Sequence, residues 1–277
     1  MKPDIVVVPT FSRPEYLWLC LERIAACPES RMLDICVYVD NHENRVPAPK
    51  DEIERVTTKC PGLSIYLLTR APHRFIGNSF NVLEAYREAY GTGCEYVFQV
   101  EDDVMVTPDF FTWHYRVQRS GRWFCSVGCK SPRVPPPEGA DDFYGTVDFC
   151  SYGVCFPRNA LATVIQHARP EYYGNMDGYI GSNFPDLGFA GRFTEQDGLI
   201  HRLVKMSGLP SAWPVKPRSC HCGYYGYHRG KGLRPEGTLE QRYEQVKKII
   251  ASADELRRNS RDYDDLEALD DEIIAGR

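Results

Sequence analysis

Apolar residues in the first hundred positions come in two rhythms that alternate along the chain. Ile5-Val6-Val7-Val8 is an unbroken apolar run, the pattern of a parallel strand covered on both faces. Ser12-Arg13-Pro14-Glu15 follows with the spacing of a helix start, Ser12 as cap, and Leu17, Leu21 and Ile24 recur at helical intervals. Residues 34–40 read as a second strand through Ile35, Val37 and Val39. A helix is expected over 51–58, a strand over 64–69, a polar loop over 70–77, and a helix over 80–90 with Asn78 as its cap. A fourth strand then carries Val97, Phe98 and Val100 into Glu101-Asp102-Asp103 before resuming as Val104-Met105-Val106. This βαβαβαβ order predicts an α/β fold, an open and mostly parallel twisted sheet flanked by helices. Ligands belong at the carboxyl ends of its strands, where the polar loops lie.

The second half is less regular. Residues 124–129 and 152–156 read as strands separated by a proline-rich loop (Pro132, Pro135, Pro136, Pro137), and 159–167 reads as a helix. The stretch 171–193 is rich in Gly, Tyr and Asn, a composition of functional loops. A helix over 194–206 would present Leu199, Leu203 and Met206 on one face, and 212–217 is a short extended piece. Thr238 and Gln241 form a capping box for a final amphipathic helix with Leu239, Tyr243, Val246, Ile250 and Ala253 as its stripe. An acidic end over 261–277 suits a last short helix.

The acidic triplet carries the first chemical signal. Adjacent carboxylates repel, so a fold gains nothing by gathering them at a strand end unless a cation sits there. Carboxylate oxygens suit a hard divalent ion, Mn²⁺ or Mg²⁺, which also grips a diphosphate. The plainer alternative is a solvated acidic turn. Composition changes this picture little: 277 residues with 43% apolar and 26% charged residues suit a soluble chain with a sizeable core. No apolar run reaches the length of a membrane span, and no signal-peptide pattern opens the chain. Eleven cysteines, an odd number without the usual zinc-ligand spacing, fit reduced thiols and a cytoplasmic location. The net charge of −5 hides a segregation: 110–137 holds five Lys/Arg and 198–235 holds seven, neither with an acid, while the chain from Glu236 carries twelve acids against seven bases.

No GxGxxG follows the first strand and no GxxxxGK[ST] occurs, which disfavours a dinucleotide fold and excludes a P-loop. The segments VVVPTFSRPEYLWLCLERI, VYVDNHEN, RFIGNSFNVLEAY and YVFQVEDDVMVTPDFF, with GFAGRFTEQDGLIHRLVKMSG and PRSCHCGYYGYH further on, occur in the order found in GT-A-fold glycosyltransferases. The chain resembles the family 2 enzymes and the N-acetylglucosaminyltransferase I type, whose metal motif is also EDD. The resemblance covers roughly residues 4–228. It implies a domain over 1–235, with a nucleotide-sugar-binding half (1–109) and an acceptor and catalytic half (110–235), followed by a helical extension over 236–277.

The resemblance further implies a metal-dependent, inverting transfer from a nucleoside-diphosphate sugar, UDP-linked. Asp103 would bind the metal, Asp102 would face the ribose or sugar, and Glu101 would stand behind them. Asp40 matches the acid that contacts uracil or ribose, with Thr10 and Arg13 beside the nucleotide. Arg74 is a candidate donor contact, and Asn78 or Asn81 would orient the following helix. His221 resembles the histidine that completes the metal site; otherwise it is a histidine packed between cysteines. The base that takes the acceptor proton is Asp197 or Glu195. The family has the two acids in direct sequence, whereas Gln196 separates them here. A non-catalytic sugar-nucleotide or glycan binder on the same fold is the alternative, although a binder has no use for acids in the base segment. Tryptophans and tyrosines interleave the basic blocks (Trp113, Trp123, Trp213, Tyr224, Tyr225, Tyr227), which suits stacking on bases. The acceptor expected from this is polyanionic, with hydroxymethylated DNA bases the foremost case and a saccharide, lipid-linked or protein hydroxyl the alternative.

Overall fold

The computed structural model of the chain describes residues 2–75, 78–131, 133–185, 194–223 and 235–259, the last segment without side chains beyond 251. Strand β1 (Ile5–Thr10) is buried along its whole length because both faces are covered. Val6 and Val8 pack into one apolar cluster and Ile5 and Val7 into another on the opposite face. Helix α1 (Pro14–Ala25) starts with Pro14 in its first turn, where proline's fixed φ suits a helix. The expected Ser12 cap is absent. Arg13 holds the cap position with no side-chain cap bond, and Glu15 is instead buried and paired with Arg242.

A 3-10 turn (Pro28–Met32) leads to β2 (Asp34–Val39), α2 (Lys50–Thr57), β3 (Ser64–Thr69), α3 (Ser79–Thr92) and β4 (Tyr96–Gln99). Asn78 stands at the head of α3 without a side-chain cap bond. β5 (Val104–Val106), α4 (Phe110–Ser120), β6 (Ser126–Val127), β7 (Phe143–Thr146), β8 (Val154–Pro157) and α5 (Arg158–Ile165) follow. α6 (Pro170–Gly174) and α7 (Met176–Asn183) occupy the stretch read as loops, and their Tyr172, Tyr173 and Ile180 are core residues. Then come α8 (Gln196–Ser207), β9 (Ser211–Pro214), β10 (Ser219–His221) and α9 (Leu239–Asn259). Met206, expected on the apolar face of α8, is 59% exposed. The tail over 261–277 lies outside the described residues.

The eight-stranded sheet runs β3-β2-β1-β4-β8-β6-β9-β7. Its first four strands are parallel, with Ile5 opposite both Asp34 and Val97; β8 then runs antiparallel to β4 and to β6. The mostly parallel sheet expected from the alternation is the one observed. Its parallel half delivers Thr10, Asp40, the loop after Thr69 and the acidic triplet to one edge. A small second sheet pairs β5 with β10 antiparallel, setting His221 opposite Val104 and therefore beside Asp103.

Helix α9 lies across α1. Its capping box forms as expected, with Thr238 N–H on Gln241 Oε1 (2.9 Å) and Gln241 N–H on Thr238 Oγ1 (3.3 Å). Leu239, Tyr243, Val246 and Ile250 enter the cluster shared with Val6 and Val8. Arg242 bridges Glu15 of α1 (3.1 Å) and Glu52 of α2 (2.5 Å). Because Glu15 is only 3% exposed, removing the Arg242 cation leaves a buried carboxylate with less compensating charge. Arg242→Met should lower unfolding free energy by about 3 kcal/mol in urea titration. Lys50→Met, which removes the exposed Lys50–Glu54 pair at 3.4 Å, should cost less than about 0.5 kcal/mol. Equal losses from the two substitutions would contradict this account of how α9 docks.

Candidate active site

The acidic triplet turns out of β4 at the end of β1. Val100 N–H bonds Val7 O (3.1 Å), Asp102 N–H bonds Pro9 O (3.3 Å), and Val104 N–H closes the turn on Glu101 O (2.9 Å). Asp102 and Asp103 are only 3% and 5% exposed. Thr10 donates to Asp102 Oδ2 at 2.7 Å. Arg13 Nη2 lies 2.6 Å from Asp102 Oδ1 and 2.7 Å from Asp103 Oδ2, so one nitrogen bridges both carboxylates.

The second sheet closes the other side of Asp103. His221 Nε2 stands 3.3 Å from Asp103 Oδ2, its ring stacked on Tyr152 at 4.4 Å, and Cys222 N–H bonds the Asp103 carbonyl at 2.7 Å. A Cβ at Gly223 would lie 2.4 Å from Asp103 Oδ2 and 2.9 Å from His221 Nε2, so only glycine avoids crowding these two groups. Asp103 Oδ1 is buried without a hydrogen-bond partner. Burial works to raise both carboxyls. At Asp103 the pull of Arg13 and His221 outweighs it and holds the group well below the usual carboxylate range. At Asp102 burial, together with repulsion from Asp103, prevails over Arg13 and Thr10 and pushes the group up to about 6. Glu101 is raised by burial and then by Asp103 and Asp197, and Gln99 Nε2 donates to its Oε1 at 2.9 Å. Tyr86 in turn donates its hydroxyl to Gln99.

Residues 195–197 arrive from α8, and Gln196 decides how they are presented. Gln196 N–H bonds Ser79 Oγ (3.0 Å), and Ser79 donates back to Gln196 Oε1 (2.6 Å), locking the start of α8 to the start of α3. Glu195 is thereby exposed, while Asp197 turns inward to accept from Ser151 Oγ at 3.1 Å. Asp197 Oδ1 is buried without a partner, and burial pushes the carboxyl up to about 6. Tyr152 feels the charge of both acid groups. Its hydroxyl is raised by burial and also by the charges of Glu101, Asp197 and Asp103, and it is the ring on which His221 stacks.

Asp40, at the end of β2, accepts from His73 Nε2 (2.6 Å) and from Asn41 N–H (3.0 Å) on the same oxygen, Oδ1. A cavity of about 120 Å³ opens beside it between Asn41, Ala48, Ile53 and Leu67. Arg74 is exposed and paired with Glu43. Asn81 is buried in a structural position, donating to Tyr38 O (3.0 Å) and accepting from Arg70 Nε (2.9 Å).

The sheet of this chain has counterparts among solved structures, although no protein-family model matches the sequence and neither does any curated protein. TarS residues 1–349 from S. aureus superimposes with a TM-score of 0.54 at 12% identity, over 99% of this chain and 69% of that one. The same protein in complex with UDP-GlcNAc gives 0.51 at 13% identity, over 99% and 71%. Its UDP complex gives 0.50 at 10% identity, over 78% and 59%. The fold is of the GT-A type. At these identities the likeness is one of fold.

Within that GT-A sheet the structure brings Thr10, Arg13, Asp102, Asp103 and His221 together in one cluster, with Asp197 near enough for its charge to act on Glu101. Ser79, Ser151, Tyr152 and His73 also belong to the site and were not singled out from the sequence. Among the described residues no three His, Cys, Asp or Glu side chains are grouped closely enough to hold a metal ion by themselves. The donors present nevertheless fit a hard divalent ion: Asp103 keeps a buried oxygen without a partner, His221 offers an imidazole, and Gly223 leaves room beside them. Magnesium and manganese sites of this kind are completed by substrate phosphate and water.

The basic blocks do not form the expected stacking surface among the described residues. Trp113 and Trp213 are core residues, 1% and 0% exposed. Arg116 and Arg218 both pair with Asp142, at 2.6 and 3.1 Å, and Arg133 with Asp148 at 3.6 Å. Tyr224, Tyr225, Tyr227, Arg229, Lys231 and Arg234 lie outside the described residues.

Asp197 yields a stability prediction whose sign follows from its raised carboxyl. A group raised from near 4 to about 6 in the folded state favours folding only below its unfolded value, and that contribution is gone once pH passes 6. The ionised, partly orphaned carboxylate therefore costs stability at neutral pH. Asp197→Asn should stabilise the protein at pH 7.5, on the order of 2 kcal/mol, with the gain vanishing toward pH 4. Thermal unfolding of the pair across that range is the check; a less stable variant at pH 7.5 would show that the carboxylate is satisfied after all.

Proposed function

We propose that this chain is a glycosyltransferase that moves a sugar from a nucleoside-diphosphate donor to an acceptor hydroxyl with inversion at the anomeric carbon. The observation that carries the reading is the coexistence, in one GT-A site, of two different carboxylate environments. Asp102 and Asp103 are buried and cation-neutralised, while Asp197 is half-buried with one buried, partnerless oxygen and a raised carboxyl. The first suits a diphosphate and its counter-charge, the second a proton acceptor.

Asp103 and His221 would hold a divalent ion, Mn²⁺ or Mg²⁺, which when bound supplies neutralisation of the leaving diphosphate. Thr10, Arg13 and Asp102 line the same end of the sheet and would bind the donor's ribose and phosphates. Asp40, anchored through one oxygen by His73, retains the other for the nucleoside. The S. aureus TarS structure of this fold carries UDP-GlcNAc, which supports a UDP-linked donor. Asp197 takes the proton from the acceptor hydroxyl as its oxygen bonds to the anomeric carbon and the bond to the diphosphate oxygen breaks. With its carboxyl near 6, Asp197 is ionised at neutral pH yet basic enough to accept a proton as it transfers. Arg74 and Asn78, at the border of the donor end, are secondary candidates for contact with it. Glu195 is the alternative base, disfavoured by its exposure.

The acceptor is a hydroxyl compound, and a saccharide, lipid-linked or protein hydroxyl suits the site better than DNA. The buried Trp113 and Trp213 have no face to offer a base, and Asp142 already holds two of the arginines. A purely binding role does not account for Asp197, whose ionised form gains only the hydrogen bonding of Ser151 against the cost of burial.

Three outcomes follow. Calorimetry with UDP should show binding in Mn²⁺ that is lost in EDTA and in Asp103→Ala; equal affinity with and without metal contradicts the donor site. Asp197→Asn should lower kcat by about 10²–10⁴ with UDP affinity nearly unchanged, and Glu195→Gln should leave kcat within severalfold. The reverse pattern moves the base to Glu195. In the wild type kcat should rise with pH through about 6 and then level.

A further inference from the structure

Arg13 is placed where a divalent ion would compete with it. Its Nη2 bridges Asp102 Oδ1 at 2.6 Å and Asp103 Oδ2 at 2.7 Å, so the two carboxylates already share one cation. The side chain is 20% exposed and its guanidinium lies over the Tyr16 ring, 5.2 Å from the centroid, which supports the planar group in this position. Both carboxylates are nearly out of water, where charges act strongly on one another. A second cation reaching the same oxygens meets the guanidinium at close range, and the two positive groups repel. The guanidinium must therefore withdraw before an ion can use both acids. Withdrawal is unfavourable unless another anion receives it, and a diphosphate, which guanidinium binds in a two-pronged fashion, is the anion the site is built to admit.

We propose that Arg13 is a built-in counter-ion that keeps the divalent ion off Asp102 and Asp103 until a diphosphate draws its guanidinium away, so that metal and diphosphate bind cooperatively. This rests on the metal-dependent donor site argued above. It assigns Arg13 two successive partners, first the acidic pair and then the donor's phosphates. It also explains why the acids can stay buried and folded before any ligand arrives: the chain carries its own neutralising charge. Linkage makes the coupling reciprocal, since the factor by which UDP tightens Mn²⁺ must equal the factor by which Mn²⁺ tightens UDP.

Binding of Mn²⁺ alone, followed by the fall in the free-ion electron paramagnetic resonance signal, separates this from ordinary metal–phosphate coordination. Direct coordination adds affinity whether or not Arg13 is present, whereas the counter-ion acts against the metal in the absence of nucleotide. Arg13→Met should bind Mn²⁺ alone about tenfold tighter or more than wild type, and the gain in Mn²⁺ affinity on adding UDP should shrink by a similar factor. Arg13→Lys, which keeps the charge but not the fork, should fall between the two. Unchanged or weaker Mn²⁺ binding in Arg13→Met overturns the proposal.

If Arg13→Met does not fold, the wild type decides by nitrogen-15 arginine resonances with Mg²⁺ as a diamagnetic probe. The Arg13 signal should move when UDP and Mg²⁺ are added together and stay in place with Mg²⁺ alone. A shift of the same size with Mg²⁺ alone overturns the ordering. If wild type binds UDP equally with and without metal, the metal-dependent donor site itself fails, while the Mn²⁺-only comparison still judges Arg13.

Discussion

Asp102 and Asp103 leave the sheet as sequence neighbours, and their carboxylates end up almost out of water within bonding distance of a single arginine nitrogen. Two charges of one sign held that close in a low-dielectric interior need a cation, and much of the surrounding architecture supplies or accommodates it. β1 pairs with β4 in the register that brings Thr10 and Arg13 over the acids. β10 pairs with β5 in the register that brings His221 to the far side of Asp103. Gly223 and Cys222 then wrap the Asp103 backbone without filling the space beside its carboxylate. Loosening either strand pairing would remove part of the charge compensation of the buried acids, so the electrostatics of the site and the stability of the sheet end are a single problem.

The parallel half of the sheet and the helix that carries Asp197 divide the site between them. Strand ends are stiff and deliver groups at fixed heights, which suits Thr10, Asp40 and the acidic pair. Asp197 instead rides on the first turn of α8, and its orientation depends on the reciprocal bonds between Gln196 and Ser79. Those bonds join α8 to α3, so the position of Asp197 is set by a helix packed on the sheet. The glutamine that interrupts the two acids thus acts as the anchor separating an inward acid from an outward one.

How much of this was legible in the sequence follows from how local each interaction is. Strand β1 announces itself because burial on both faces leaves an unbroken apolar run, β2 and β4 through their closely spaced apolar residues, and the capping box of α9 is written in residues three apart. β7, with the sequence FYGT, is too short and too mixed to carry a pattern; pairing with β9 makes it a strand. α6 and α7 lie in a stretch whose Gly, Tyr and Asn content argues for loops, and they form because Tyr172, Tyr173 and Ile180 find an apolar cluster. In the site, the acidic triplet was visible as a chemical oddity. The Ser79–Gln196 lock, joining residues 117 apart, and the His73 partner of Asp40 have no local signature. In the basic blocks, the acids that pair with Arg116, Arg133 and Arg218, namely Asp142 and Asp148, lie outside the runs, and Trp113 and Trp213 are core, neither of which has a local signature.

The central claim is that Asp103 and His221 share a divalent ion with the donor's diphosphate. Pulsed electron paramagnetic resonance of the protein with Mn²⁺ and UDP reads those contacts directly, through nitrogen-14 coupling from a coordinated imidazole and phosphorus-31 coupling from the phosphates. The account predicts both couplings in the wild type, loss of the nitrogen signal alone in His221→Ala, and loss of protein-bound Mn²⁺ in Asp103→Ala. A spectrum that keeps the nitrogen coupling in His221→Ala, or bound manganese with no phosphorus coupling in the wild type, would contradict it.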